Sequence, residues 1–187
     1  MQKILISNGN SKIGNDTFIL NITSATDCSS KALGLCSLCG VCYAMKAEVQ
    51  YPAVLPYRQA QEVQWDQMPV DVMSNLILGK ASRKKKPIKY LRLQESGDFR
   101  NQEDIDKMSK LADQLKGKIK CYVYTARKDL DFSNVSTNLT VNGSGFMVHN
   151  NFVAVNELTS KFTCKGNCRQ CNLCKENNNL TIQVKIH

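Results

Sequence analysis

The sequence predicts an α/β fold, a partial or reduced (β/α) barrel with a cysteine-rich loop near each end. Three observations lead there. Apolar runs of strand length alternate with helical patterns through the middle of the chain. The strand–helix–strand unit over 88–127 has the length that brings parallel pairing. A full eight-stranded barrel takes about 250 residues, whereas this chain has 187 and spends many of them on the cysteine loops. Five or six strands in an open or reduced barrel fit better. That length also suits a single domain over 1–187 with a core of its own.

In chain order, "KILIS" (3–7) and "TFILNIT" (17–23) read as strands, and the second leads straight to Cys28. Helical composition follows over 43–50 and 57–66, with Pro52 and Pro56 separating the two. A third helix begins at Pro69 and lines up Val72, Met73, Leu76 and Ile77; Gly79 and the basic run after it end the helix. "IKYLRLQESGDF" (88–99) is a buried strand that breaks at Gly97. Asn101 caps the next helix, Glu103 and Asp104 favour its positive end, and Ile105, Met108, Leu111 and Leu115 form its apolar stripe up to Lys116-Gly117. "KIKCYVYTAR" (118–127) is a strand. Further strands are expected at 137–142, 146–148, 152–155 and 180–186, with a polar turn at 175–179.

Nine cysteines divide into Cys28, Cys36, Cys39 and Cys42, then Cys164, Cys168, Cys171 and Cys174, and Cys121 alone. Cys121 shares a strand face with Ile119, Val123 and Thr125, which is the setting of a core thiol. For the two sets, disulfides are disfavoured: thiols two residues apart strain if paired, and no secretion signal heads the chain. Zinc favours C-x2-C pairs set apart by a longer spacer. Here the spacings run together as C-x7-C-x2-C-x2-C and C-x3-C-x2-C-x2-C, as in ferredoxin-type loops that wrap the iron corners of a cubane. The residues therefore point to one or two [4Fe–4S] clusters, bound by loops at 28–42 and 164–174. Gly40 and Gly166 would keep those loops tight, with N–H groups near sulfur.

The formal charge is +9, and thiolate-bound clusters would balance part of it. The densest basic run, "KASRKKKPIKY" (80–90), reads as a solvated helix end and loop in preference to a nucleic-acid patch, since Tyr90 is its lone aromatic. No stretch has the length of a membrane span. A reducing cytoplasm is the expected compartment.

In α/β folds functional residues gather where strands end. "QESGD" (94–98), "TARKD" (125–129) and "NGSG" (142–145) are such ends. Asp98 is a candidate because Asn101 already caps the helix; the plainer reading is a loop carboxylate. Glu95 and Arg127 either pair with each other or hold the amino and carboxylate groups of a small ligand. His149 reads as an ordinary loop or strand residue, each cysteine set already having four thiols.

"NGNSKIGND", "TDC", "C-x2-C-x2-CYA", "RLQESGDF", "YVYTAR" and the C-terminal C-x3-C-x2-C-x2-C together resemble the phage-encoded gene product 88 family. The resemblance implies a phage origin, a host-cell cytoplasmic location and a metal site. The chain also resembles, distantly, radical S-adenosylmethionine enzymes, which use a partial α/β barrel and a C-x3-C-x2-C loop; "CKGNCRQC" (164–171) has that spacing.

Two functions follow. In the first, the clusters accept and donate single electrons, exchanging them with a donor or acceptor partner and reducing a small substrate such as protons. In the second, S-adenosylmethionine is cleaved at an open iron, with Glu95, Ser96, Gly97 and Asp98 near the ligand. Eight thiols suffice to close two cubanes, which favours the first. A zinc-stabilised nucleic-acid binder using 80–89 ranks third.

Overall fold

The alternating patterns produce one seven-stranded sheet with five helices in a mixed α/β fold, as described by a computed structural model over residues 3–186. The strands are β1 (Ser7–Asn8), β2 (Thr17–Leu20), β3 (Tyr90–Leu93), β4 (Lys120–Thr125), β5 (Leu139–Ser144), β6 (Asn150–Val155) and β7 (Thr181–Lys185). They lie side by side in chain order. β1 is antiparallel to β2, and β2 to β7 are parallel throughout. Among the described residues β1 and β7 do not pair with each other, so a closed barrel is not shown.

The two faces of this sheet differ, and the difference positions everything that follows. On one face Phe18, Leu20, Leu91, Leu93, Cys121, Val123, Leu139 and Val141 enter the hydrophobic core. Three helices supply its other side: α3 (Val54–Gln67), α4 (Val70–Ser82) and α5 (Gln102–Gln114). On α5 the expected stripe of Ile105, Met108, Leu111 and Leu115 is buried, and Asn101 accepts the Asp104 N–H as the N-cap, at 3.1 Å. Trp65 of α3 donates its indole N–H to Asp104 at 2.9 Å, so the largest core side chain has its polar atom satisfied. The opposite face carries Tyr90, Arg92, Tyr122, Tyr124, Thr140 and Asn142, the alternate residues of the same strands.

Several elements depart from the sequence reading for identifiable reasons. Over 3–7 only Ser7 joins the sheet, with Asn8. Side chains of α3 take the place of a partner strand at Leu5, whose N–H donates to Gln64 at 2.6 Å and whose carbonyl accepts from Gln61 at 2.9 Å. Pro56 does not precede α3; it lies in its first turn, where a missing N–H removes no intrahelical bond. Gly79 does not end α4, which continues to Ser82. A helical glycine costs about 1 kcal/mol, and the buried side chains of Met73 and Ile77 on the same helix offset it.

Residues 146–148 are not a strand but part of an unusually short parallel connection. Parallel neighbours ordinarily need a dozen or more linking residues, yet β5 and β6 are joined by 145–149 alone. The stagger makes this feasible. Only three pairs form, Asn142↔Asn150 to Ser144↔Phe152, so the chain steps back two residues before pairing again. Gly143 permits it, because a Cβ there would meet the Phe146 carbonyl oxygen at 2.3 Å. His149 locks the step: its N–H donates to the Val141 carbonyl and its Nδ1 accepts the Val141 N–H, each at 3.1 Å. "NGSG" is thus accounted for by this short parallel step.

Candidate metal centres

The first thiol set grows from the end of β2. Residues 21–28 run from the strand to α1 (Ser29–Ala32), which Cys28 precedes as N-cap residue. Cys39 opens a short 3-10 turn, Cys39–Val41, and Cys42 precedes α2 (Tyr43–Gln50). The Cys39 thiol donates to the Cys36 carbonyl at 3.1 Å. Burial raises the Cys36 pKa, and the neighbouring Cys39 and Cys42 raise it further. Cys28 keeps different company: its sulfur lies 3.3 Å from the Ser30 hydroxyl, and burial and the nearby Asp98 carboxylate raise its pKa.

Two residues that no motif marked hold this loop. Glu48 of α2 accepts the N–H groups of Ala25 (2.7 Å) and Thr26 (2.9 Å), the Thr26 hydroxyl (2.9 Å) and the Arg58 guanidinium (2.8 Å). Arg58 also donates to the Ala44 carbonyl at 3.0 Å. Burial raises the Glu48 pKa, but these donors outweigh it and leave the carboxyl below its ordinary value. The signal in the sequence is only a Glu and an Arg ten residues apart on consecutive helical segments, which is too common to read.

The second thiol set lies in the crossover from β6 to β7 and drapes across the polar face of the sheet. Thr140 donates its hydroxyl to the Lys175 carbonyl (3.1 Å), Asn142 its amide to the Cys174 carbonyl (2.9 Å), and Asn150 its amide to the Glu176 carbonyl (2.8 Å). Cys164 donates its N–H to the Gln183 carbonyl of β7 at 2.7 Å, and Cys168 to the Lys12 carbonyl at 3.1 Å. All four thiols line one cavity together with Tyr122, Tyr124, Lys175 and Ile182. Burial pushes the Cys174 thiol up to about 12, and its fellow thiols Cys164, Cys168 and Cys171 add to this against the Tyr124 hydroxyl.

Lys175 is only 3% exposed and makes no ion pair among the described residues. Its ammonium donates to the Cys168 carbonyl at 2.8 Å and lies 4.1 Å from the centre of the Tyr90 ring. Arg92, whose charge counters the burial of Cys168, likewise has no ion pair among the described residues. Among the described residues no three His, Cys, Asp or Glu side chains converge as the ligands of a single metal ion.

The strand-end candidates have structural partners. Asp98 is buried and accepts the Thr125 hydroxyl (2.7 Å) and the N–H groups of Ala126 (2.7 Å) and Phe99 (2.8 Å), tying the end of β3 to the end of β4. Burial raises its pKa above the usual carboxylate range, against these donors. Arg127 pairs with Asp129 rather than Glu95, at 2.8 Å, and also donates to the Phe99 and Arg100 carbonyls. Glu95 accepts from the Asn10 amide at 3.4 Å. The Ser96 hydroxyl donates to the Thr23 carbonyl at 3.1 Å. Gly97 has φ +70°, and a Cβ there would sit 1.8 Å from the Thr23 hydroxyl oxygen. Cys121 is fully buried and its pKa is raised by burial alone. In the basic run, Lys80 donates to the Ile6 carbonyl at 2.9 Å, while Lys84, Lys85 and Lys86 border an open depression with Asn8 and Asn15.

The model of the gene product 88 family matches residues 4–162. The chain belongs to that family. The match supports the phage-protein character expected of it, and it contains the first thiol set while ending just before the second. No curated protein and no solved structure matches the chain. No helix among the described residues is long and apolar enough to cross a membrane.

Proposed function

We propose that this family member is an iron–sulfur protein with a redox role, and that Cys164, Cys168, Cys171 and Cys174 hold one [4Fe–4S] cluster. The observation that carries the reading is four thiols around one cavity, beside a buried lysine that has no carboxylate partner among the described residues. An unpaired buried cation costs several kcal/mol; a thiolate-bound cluster, a net anion, would offset that cost. The thiols surround the cavity without converging on one point. In sequence their spacing, C-x3-C-x2-C-x2-C, is that of loops that wrap the iron corners of a cubane, whereas zinc favours C-x2-C pairs set apart by a longer spacer. When bound, such a cluster supplies single-electron acceptance and donation, to a partner or to a small substrate such as protons. This chain's own residues would hold it, shield it with Tyr122 and Tyr124, and set its charge surroundings with Lys175 and Arg92. The consecutive order of β2 to β7, helices on one face and the thiol loop on the other, supports the partial-barrel form of the fold.

A second reading concerns the first set. Cys39 and Cys42 lie close enough to Cys36 to raise its pKa, whereas Cys28 faces Ser30 and Asp98. Three thiols after the first parallel strand support a cluster with one open iron and an S-adenosylmethionine-cleaving activity.

Anaerobic purification with iron and sulfide analysis and electron paramagnetic resonance tests both. Brown protein with sulfide and a reduced-cluster signal is expected; colourless protein with stoichiometric zinc from an iron-replete preparation overturns the first reading. A reduced spectrum unmoved by S-adenosylmethionine, with no 5′-deoxyadenosine released, overturns the second.

A further inference from the structure

Arg92 projects from the middle of β3 on the polar face of the sheet, between the two thiol loops. Its Nη2 donates to the Tyr43 hydroxyl at 3.1 Å, and Tyr43 directly follows Cys42. Its guanidinium lies 5.3 Å from the centre of the Tyr124 ring, which lines the cavity of the second set. These contacts fix the guanidinium without using it up. Its Nε is shut from solvent and has no hydrogen-bond partner, and the guanidinium has no ion pair among the described residues. By contrast Arg58, Arg100 and Arg127 each hold a carboxylate. Arg92 nonetheless keeps part of its surface exposed.

Two residues further along the chain, just past the end of β3, Gln94 repeats the pattern. It is 3% exposed, and both its side-chain Oε1 and Nε2 lack partners. Its backbone holds φ +58°, a conformation that favours glycine. Orphaned buried amides are costly, and strain of this kind persists where function requires it. The end of β3 also lies where parallel sheets bind small ligands.

We propose that Arg92 is the anchor of a binding site for a small organic carboxylate, with Gln94 as its second polar contact and the Tyr124 ring as its wall. A single guanidinium with a free Nε–H matches one planar carboxylate in charge and in shape. The nearby Glu95, which acts on Arg92 without forming an ion pair with it, disfavours a multiply charged phosphate. The flat aromatic wall favours a carboxylate with an unsaturated or aromatic body. The site stands whether or not the thiols carry a cluster.

The test uses the full chain as isolated, titrated with sodium acetate, sodium benzoate and inorganic phosphate at constant ionic strength. Thermal midpoint and the 15N-detected Nε–H resonance of Arg92 are followed. Both should respond to the carboxylates, benzoate more than acetate, and not to phosphate. Arg92→Lys should weaken benzoate binding about tenfold or more, by loss of a charge-assisted planar contact, and Gln94→Met should weaken it less. No response to either carboxylate in the unsubstituted protein overturns the proposal. So does an equal response in Arg92→Lys, or a phosphate response as large as that of benzoate. Iron and sulfide content measured on the same samples keeps this outcome separate from that of the metal reading.

Discussion

Cys36, Cys39 and Cys42 sit in a loop braced from within by its own neighbours, whereas Cys164, Cys168, Cys171 and Cys174 sit in a loop held by the sheet beneath it. Around the first set, the Glu48–Arg58 pair draws residues 25, 26 and 44 together. The second set is suspended from Thr140, Asn142 and Asn150 on two strands and paired with β7 through Cys164. The first lies inside the family match and the second beyond it. Similar spacings of thiols are therefore supported by unrelated means. A local clamp can form as soon as two helices meet; a loop on a sheet face needs β5, β6 and β7 in register first.

The sharpest way to break the comparison is to remove one thiol from each loop. Cys171→Ser should abolish iron and sulfide at the second set, and Cys39→Ser should do so at the first, each sparing the other. Iron and sulfide analysis of anaerobically purified variants measures this; unchanged content in Cys171→Ser would remove the C-terminal loop from the proposal.

The next effect is on stability. Glu48→Gln leaves Arg58 buried without its carboxylate and should cost about 3–5 kcal/mol in denaturant unfolding, loosening the first loop while leaving metal at the second. The pH dependence follows in sign. The folded Glu48 pKa lies below its unfolded value, so the unfolded chain binds more protons between the two. The contribution is present above the ordinary glutamate range and is lost as pH falls through the folded value. Glu48→Gln should flatten that acid-side loss, and an identical pH slope in both proteins would show that the clamp is not an ion pair.

Smaller still, Lys175→Met removes the buried cation beside the second set. The reduction potential of the second centre should move negative, because reduction adds an electron where less positive charge remains, while the first centre keeps its potential. A redox titration followed by electron paramagnetic resonance decides; equal potentials before and after would separate the lysine from the thiols. The smallest effect belongs to Cys121→Ala, a core truncation expected to cost about 1–2 kcal/mol with metal content unchanged. Loss of metal in that variant would show that the lone thiol is not the core residue its burial makes it.

The sequence by itself determined the elements whose signals are local. Asn101 and the stripe from Ile105 to Leu115 specify α5, because capping and a 3.6-residue period act within one helix. Parallel pairing of β3 with β4 followed from the length of the unit between them. The eight thiols stood out by spacing. Alternation in "YLRL" and "KCYVYT" even held the signal of a polar, aromatic face, with Tyr90, Arg92, Tyr122 and Tyr124 falling on alternate positions. Only the tertiary structure decided what that face meets. Lys175 and Arg92 come beside the second thiol set from positions over eighty residues apart, and neither brings a carboxylate. Asp98 became a strand-end tie because Thr125 and Ala126 approach it from β4. Gly143 and His149 turned an expected strand into a three-pair step. The physical reason is common to all of these. Propensity and period are properties of neighbours in the chain, whereas the cost of a buried charge or an unpaired amide depends on which distant groups folding brings beside it.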